Sequence, residues 1–289
     1  MIGSDFRAPG ALSRLNSPGR DTMIRLLTLI TALGTSLALN LGSRKALPPK
    51  SLRRATLIED IQTSDKAEAL HVLRVELGGE LGAVRLHAPV SRLTRWPAGD
   101  LWPAGRALAT RLSAEPDLVR GQRVLELGTG LGIAGIAAAD AGARHVFLSD
   151  IDASAVRLAL RSHAELGRSP GRVSGARIDF ARGGWPAAVR AGADDTDVVI
   201  ASDVLYSERQ APALARFLAD YLSDRPQGKG YVMNPLARDK ARIGFAFMEE
   251  ARAFGLHVEA EEYASRASGA ADMQLIKVEN TRGDGDGLG

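Results

Sequence analysis

The stretch from Arg123 to Asp152 constrains the fold more than any other part of this sequence. It reads RVLELGTGLGIAGIAAADAGARHVFLSDID: an apolar run, a glycine-dense turn, an alanine-rich segment and a second apolar run that stops at Asp150. Short apolar runs bounded by turn residues favour buried strands, and an alanine-rich segment favours a helix. Strand, turn, helix and strand in this order predict a βαβ unit that binds a nucleotide-like ligand at its glycine turn.

Helical and strand-like segments alternate along the chain from Trp102 onward. Such alternation is typical of the α/β class, and it predicts a doubly wound, mostly parallel sheet of seven strands with helices on both faces. No helix separates the last two predicted strands, His257–Glu262 and Met273–Val278, so we expect an antiparallel last strand in a hairpin at one edge. Upstream, Ala69–Glu76 and Ala83–His87 alternate apolar and polar residues around three glycines, which predicts an N-terminal β-hairpin extension.

Basic charge is concentrated in the first 54 residues. They carry nine of the 37 Lys and Arg residues but only two of the 34 Asp and Glu residues. An apolar segment at 26–41 lies between basic residues, which is typical of a secretory or organelle-targeting leader. The segment is too short and hydroxyl-rich for a stable membrane span. We therefore expect a targeting or disordered leader over 1–54, a β extension over 55–100, an α/β domain over 101–280 and a disordered tail over 281–289. The leader suggests a mitochondrion or plastid, with the cytoplasm as the alternative.

Several kinds of site are excluded or disfavoured by composition. The chain has no cysteine, so disulfides, thiolate metal sites and a thiol nucleophile are excluded. Its five histidines show neither HxH nor HxxxH spacing, so no metal site is expected. Beyond residue 54 acidic residues outnumber basic ones, and nothing there indicates a nucleic-acid-binding surface.

The glycine turn supplies the first group of candidate cofactor-binding residues. Glu126, Gly128, Gly130 and Gly132 recur at every second position, and the glycines allow the backbone and its N–H groups to approach a ligand. Ile133 occupies the position at which the dinucleotide fingerprint has its third glycine, the one that allows helix and strand to pack around a pyrophosphate. The turn therefore disfavours NAD and FAD and suits S-adenosylmethionine, which has no phosphate.

Carboxylates follow the next two predicted strands. Asp150 ends the second strand, where a carboxylate can accept hydrogen bonds from both ribose hydroxyls. Asp179 and Phe180 end the third strand and could bind an adenine amino group and ring, with a turn aspartate beside a core aromatic as the alternative. Asp152, two residues beyond the second strand, is interpreted as the N-cap of the following helix.

The fourth predicted strand is followed by Asp203 and Tyr206 in a D-x-x-Y spacing. In a doubly wound sheet this strand lies beside the first, so both residues should face the reacting group. Methyl transfer to an amine needs a deprotonated amine held in line with the methyl carbon, so both are interpreted as positioning groups, with the proton lost to water. A loop-capping aspartate and a core tyrosine are the alternatives. Trp102, just before a predicted helix, is either core or a wall of the pocket.

The sequence resembles the seven-stranded class I S-adenosylmethionine-dependent methyltransferases, and within them the protein-lysine methyltransferases of methyltransferase family 16. The resemblance covers about residues 70–279. Two of its stretches are most similar to a mitochondrial member, in agreement with an organelle leader. The matching stretches are LWPAGRAL at 101–108, VLELGTGLGIAGIAAADAGA at 124–143, SD at 149–150, IDF at 178–180 and ASDVLYSE at 201–208.

The resemblance implies S-adenosylmethionine as the cofactor and a substrate lysine positioned by Asp203 and Tyr206. Where the family usually has a tryptophan after the aspartate, this chain has Phe180, which can still stack on a ring. The implied cofactor contacts are Trp102, Gly128, Thr129, Gly130, Asp150, Phe180 and Ser202.

These observations together predict an enzyme that transfers methyl groups from S-adenosylmethionine to a lysine of a protein substrate. A methyltransferase acting on a small molecule or on a residue other than lysine is one alternative, and an S-adenosylmethionine-binding module without turnover is another. An NAD-dependent oxidoreductase is disfavoured by Ile133. The expected partner is the protein that carries the lysine; nucleic acid, metal and a stable membrane span are not expected, and the chain is expected to be a monomer.

Overall fold

The computed structural model describes residues 56–61, 70–89, 99–168, 173–182, 197–263 and 273–281. The described strands form a three-stranded and a seven-stranded sheet. The expected leader and residues 282–289 of the expected tail lie outside these ranges, whereas Thr281 is described and donates to the carbonyl of Gly255 at 2.8 Å. None of the helices in the described part of the chain is long and apolar enough to cross a membrane.

The smaller sheet contains the predicted hairpin. Strands β2 (Leu70–Gly78) and β3 (Gly82–Pro89) pair antiparallel, and β1 (Thr56–Ile61) adds a third strand alongside β2 that was not predicted. The turn between β2 and β3 has positive φ angles at its glycines, as a tight turn of this kind requires. It packs against Ser113, whose carbonyl accepts from Glu80 N at 3.0 Å.

The seven-stranded sheet confirms the predicted α/β architecture. Its strands are β4 (Arg123–Leu127), β5 (His145–Asp150), β6 (Val173–Arg177), β7 (Val198–Ser202), β8 (Lys229–Pro235), β9 (Leu256–Tyr263) and β10 (Met273–Asn280). They lie in the order β6-β5-β4-β7-β8-β10-β9, in which the first five pair in parallel and β10 runs antiparallel to both of its neighbours. The helices are α1 (Pro103–Ala114), α2 (Ile133–Asp140), α3 (Ala153–Leu166), α4 (Gln210–Leu222) and α5 (Arg238–Ala253), with a 3-10 turn at Pro116–Leu118.

Local sequence signals place the helix starts that border the site. Pro103 is the first residue of α1, and its fixed φ suits the first turn of a helix. Proline has no N–H, which costs nothing here because N–H groups in the first turn have no partner within the helix. Gly132, with φ of 83°, precedes α2. Asp152 caps α3 as predicted, because its carboxylate accepts from Ser154 N at 2.8 Å.

Two apolar cores cover the two faces of the large sheet. Along β4, Val124 faces the core built with α1 and α2, whereas Leu125 and Leu127 face the core built with α4 and α5. This alternation is the two-residue period of a strand that is buried on both sides. The chain runs from β4 outward to β5 and β6, then returns to start β7 on the other side of β4. The carboxyl ends of β4 and β7 therefore border the switch point, where ligands bind in sheets of this kind.

Candidate active site

The glycine turn after β4 lies directly against the segment that follows β7. Gly128 and Gly130 have φ angles of 68° and 50°, a region that favours glycine. A Cβ atom on Gly128 would lie 2.6 Å from Cγ1 of Val204, closer than any real contact allows. Glycine at 128 thus brings the predicted cofactor turn and the D-x-x-Y segment together.

Glu126, near the end of β4, and Thr129, in the glycine turn, are joined by a hydrogen bond between their side chains. Glu126 is buried, and its Oε2 accepts from the Thr129 hydroxyl at 2.6 Å. Burial raises the pKa of Glu126 to about 8, although the hydrogen bond from Thr129 opposes the shift. Thr129 N also donates to the carbonyl of Ser149, at 2.9 Å. Both side chains therefore support the turn from inside the protein, and their contact with a cofactor stays a prediction.

Asp150 binds the same turn from the end of β5. Its Oδ2 accepts from Gly130 N at 3.0 Å, and its Oδ1 accepts from Asp152 N at 2.9 Å. Burial raises the pKa of this carboxyl, and the backbone N–H groups act in the opposite direction. A carboxylate has roughly four acceptor positions, so these amides leave capacity for a ribose hydroxyl. The hydrogen bonds that Asp150 accepts therefore leave room for its predicted role in binding ribose.

Asp179 bonds to residues that follow it closely in the chain, and Phe180 contacts another aromatic ring. Asp179 accepts from Ala181 N at 3.1 Å and forms an ion pair with Arg182 at 3.1 Å, the bonds of a turn aspartate. The Phe180 ring packs edge-on against Phe217, with 6.5 Å between centroids. The preceding residue, Ile178, donates to the carbonyl of Asp150 at 2.9 Å, so the segment lies beside that strand end. A ligand role for the pair stays a prediction.

Asp203 has an unusual backbone conformation and a buried carboxylate. It is the one non-glycine residue with positive φ, 57°, in the part of the chain that the structure describes. Its N–H donates to the carbonyl of Met233 on β8 at 3.0 Å, and its side chain is 7% exposed. Aspartate tolerates this region better than most residues do, yet the conformation costs energy, and such costs concentrate at functional sites.

Tyr206, three residues after Asp203, is the exposed end of the D-x-x-Y segment. It is 61% exposed, so the alternative of a core tyrosine is wrong. The carboxamide of Gln210 accepts from its backbone N–H at 2.9 Å and from that of Ser207 at 2.7 Å. This arrangement orients the backbone of the D-x-x-Y segment at the start of α4 and leaves the phenol ring in solvent.

The start of α1 borders the site at the end of β7. Trp102, just before the helix, is 40% exposed and is therefore not a core residue. Ser202 ends β7, and its hydroxyl lies 3.4 Å from where a Cβ atom on Gly105 would stand. The first turn of α1 thus packs on the end of β7, one residue before Asp203.

Two residues of this region were not predicted. Lys240, at the start of α5, forms an ion pair with Asp203, and its Nζ lies 5.6 Å from the centroid of the Trp102 ring. Asn234 ends the apolar part of β8, is fully buried and donates to the carbonyl of Lys240 at 2.9 Å. A polar residue at the end of an apolar strand is the signal that identified Asp150, and it would also have identified Asn234. The described ranges contain no group of three or more His, Cys, Asp or Glu side chains that could hold a metal ion.

Comparison with known sequences places this chain in a family. A sequence model of a family described as lysine methyltransferase matches residues 93–251, more than half of the chain and all of the site described above. A human electron transfer flavoprotein beta subunit lysine methyltransferase is 34% identical over 133 residues, which cover 44% of this chain and 47% of that protein.

Two further relatives have the same kind of name. The Xenopus laevis electron transfer flavoprotein beta subunit lysine methyltransferase is 50% identical over 62 residues, 20% of this chain and 25% of that protein. An Arabidopsis thaliana calmodulin-lysine N-methyltransferase is 28% identical over 188 residues, 64% of this chain and 57% of that protein. The chain spans about half the length of the curated relatives that it matches over more than a hundred residues.

Proposed function

Because the chain belongs to the lysine methyltransferase family, we propose that it transfers methyl groups from S-adenosylmethionine to a lysine side chain of a protein. The observation that carries the proposal is the close packing of Gly128 on Val204, which puts the cofactor turn in direct contact with the D-x-x-Y segment. The names of the relatives specify protein substrates, the electron transfer flavoprotein beta subunit and calmodulin, which supports a protein as the acceptor here.

The residues at the strand ends fit S-adenosylmethionine. Asp150 keeps acceptor capacity for ribose, and Ile133 stands where a pyrophosphate would need glycine. Gly128 and Gly130 have positive φ angles, which let the backbone of the turn approach a ligand closely. When bound, S-adenosylmethionine supplies a methyl group carried on a sulfonium centre. The contacts proposed for it are those predicted from the sequence: Trp102, Glu126, Gly128, Thr129, Gly130, Asp150, Asp179, Phe180 and Ser202.

The role proposed for Asp203 is to orient the acceptor amine. A lysine amine has a pKa of about 10.4 in water and must be neutral to react. A neighbouring carboxylate raises the pKa of an amine, whereas desolvation by aromatic walls lowers it. Asp203 therefore positions the amine and leaves its proton to water, while Trp102 and Tyr206 restrict the directions from which a lysine side chain enters.

The proposal is tested with methyl-labelled S-adenosylmethionine and a cell extract. We expect a labelled protein band with the wild-type chain and a loss of about 100-fold or more in initial rate for Asp203→Asn, which keeps size and backbone preference but removes the charge. Asp220→Asn, on the exposed face of α4, serves as the matched control and should keep the wild-type rate.

Other outcomes of this experiment separate the alternatives. Label confined to the small-molecule fraction would indicate a small-molecule methyltransferase. Calorimetric binding of S-adenosylmethionine without label transfer to any fraction would indicate a binding module without turnover. Either result would contradict a protein-lysine methyltransferase.

We also propose that residues 1–54 direct the chain to an organelle, ahead of a β extension over 55–100, a methyltransferase domain over 101–280 and a short tail. The excess of basic residues in this segment supports the proposal. A fluorescent protein fused to residues 1–54 should accumulate in mitochondria or plastids. Diffuse cytoplasmic fluorescence would contradict a targeting role.

A further inference from the structure

Lys240 is placed as an acceptor lysine would be. Its ammonium forms an ion pair with Asp203, and the Trp102 ring centroid lies 5.6 Å away. Its side chain is 27% exposed, so it is largely withdrawn from solvent. Its carbonyl accepts from the buried Asn234 amide, which fixes the first turn of α5 beside the site. A carboxylate and an aromatic face are the two groups that the proposed mechanism assigns to the substrate amine.

The other described lysines have different partners. The chain contains six lysines, Lys45, Lys50, Lys66, Lys229, Lys240 and Lys277. Lys229 begins β8, at the amino end of the parallel strands, whereas Asp203 follows the carboxyl end of β7, and Lys229 pairs with Glu279 at 3.1 Å. Lys277, on β10, pairs with Glu261. Among the lysines in the described ranges, Lys240 alone has its amine at Asp203.

We propose that Lys240 is an acceptor for the chain's own methyltransferase activity and is methylated in cis. This inference rests on the function proposed above. The ammonium first loses its proton to water. Its nitrogen then forms a bond to the methyl carbon of S-adenosylmethionine as the carbon–sulfur bond breaks, and sulfur keeps the electron pair. The products are N-methyllysine at position 240 and S-adenosylhomocysteine.

Tethering favours this reaction over transfer to a free amine. Lys240 is held by the chain beside Asp203, so no encounter with a second protein molecule is needed and little freedom of the amine is lost on the way to the reactive geometry. A protein substrate must displace the Lys240 amine from Asp203 before its own lysine can take that position. Self-methylation and substrate methylation therefore compete for one carboxylate.

The placement of Lys240 is tested first without the cofactor. Reductive methylation with formaldehyde and a borane reagent modifies lysines according to the accessibility and protonation of each amine. We expect Asp203→Asn to increase the modification rate at Lys240 severalfold and to leave Lys277 unchanged, since Lys277 pairs with a different carboxylate. Unchanged rates at both lysines, in a variant shown by circular dichroism to be folded, would overturn the placement.

The reaction itself is tested by incubating the purified full chain with methyl-labelled S-adenosylmethionine and mapping peptides by mass spectrometry. We expect label on Lys240, a rate per molecule that does not depend on protein concentration, and no label at position 240 in Lys240→Arg. Lys277→Arg is the matched control and should be labelled at Lys240 like the wild type. A rate that rises with protein concentration would overturn transfer in cis.

A parallel incubation with cell extract separates this proposal from the proposed function. Label on an extract protein but none on Lys240 would overturn self-methylation and leave the proposed function standing. Label on neither would overturn both.

Discussion

At the scale of single residues, the buried carboxyl of Glu126 makes stability depend on pH. Burial raises its pKa to about 8 from an ordinary value of 4.5. Between these values the folded protein holds a proton that the unfolded chain releases, so the contribution of this carboxyl to stability is greatest below the ordinary value and is lost as pH rises toward the folded value. The steepest slope is about 1.4 kcal/mol per pH unit.

We expect Glu126→Gln, a neutral residue of similar shape, to flatten this fall, as measured by urea unfolding at a series of pH values from about 4.5 to about 8. Asp150, whose pKa burial also raises, keeps part of the slope in the variant. Asp220→Asn should retain the wild-type slope. An identical slope in Glu126→Gln would show that the carboxyl is not the titrating group.

Spacing in the sequence predicted single residues only where neighbours along the chain define the motif. Asp203 and Tyr206 were found because they follow an apolar run at a fixed spacing, and the exposure of Tyr206 agrees with a surface role. Lys240 was missed because its partner lies 37 positions away in the chain. No local pattern shows that the start of α5 returns to the end of β7.

At the scale of elements, α2 has a glycine in its first turn, Gly135, that helix propensity does not explain. Alanine at Gly135 would favour the helix by about 1 kcal/mol. However, a Cβ atom there would overlap the Leu148 side chain and the Glu126 carboxylate. We expect Gly135→Ala to destabilise the protein by about 1–3 kcal/mol in chemical unfolding and to weaken S-adenosylmethionine binding in calorimetry.

Gly230→Ala, on β8, is the control for an added methyl group, because a Cβ atom there would stand 3.4 Å from Cβ of Val278, an ordinary contact. A Gly135→Ala variant as stable as the wild type would refute the packing of α2 on β4 and β5 described above.

Element boundaries were predictable where side chains mark them. Pro103 and Asp152 mark the starts of α1 and α3, whereas α5 begins at Arg238 without a capping side chain. Strand β1 was missed because its pairing with β2 shifts register between Leu57 and Glu59, which interrupts the two-residue alternation.

At the scale of the whole molecule, one sheet separates two cores and should couple them. Leu148 lies in the core on the α1 and α2 side, and Leu218 lies in the core on the α4 and α5 side; both are fully buried. We expect Leu148→Ala and Leu218→Ala each to cost about 2–5 kcal/mol. Each should shift a single transition, seen at the same denaturant concentration by far-ultraviolet circular dichroism and tryptophan fluorescence. Separate transitions would mean that the two faces unfold independently.

The topology was the most predictable feature, because alternating units restrict the order of a parallel sheet. The position of β7 beside β4 and the antiparallel last strand agree with the prediction. The sequence did not predict that β1 joins the hairpin, since strand partners are chosen by contacts between distant segments.

The backbone of Asp203 has a consequence for the mutational tolerance of the chain. Position 203 must satisfy a conformational demand, met by glycine, asparagine and aspartate, and a chemical demand for a carboxylate, met by aspartate and glutamate. Only aspartate meets both. In a saturation library scored separately for abundance and methylation, position 203 should accept asparagine and glycine for abundance and nothing but aspartate for methylation.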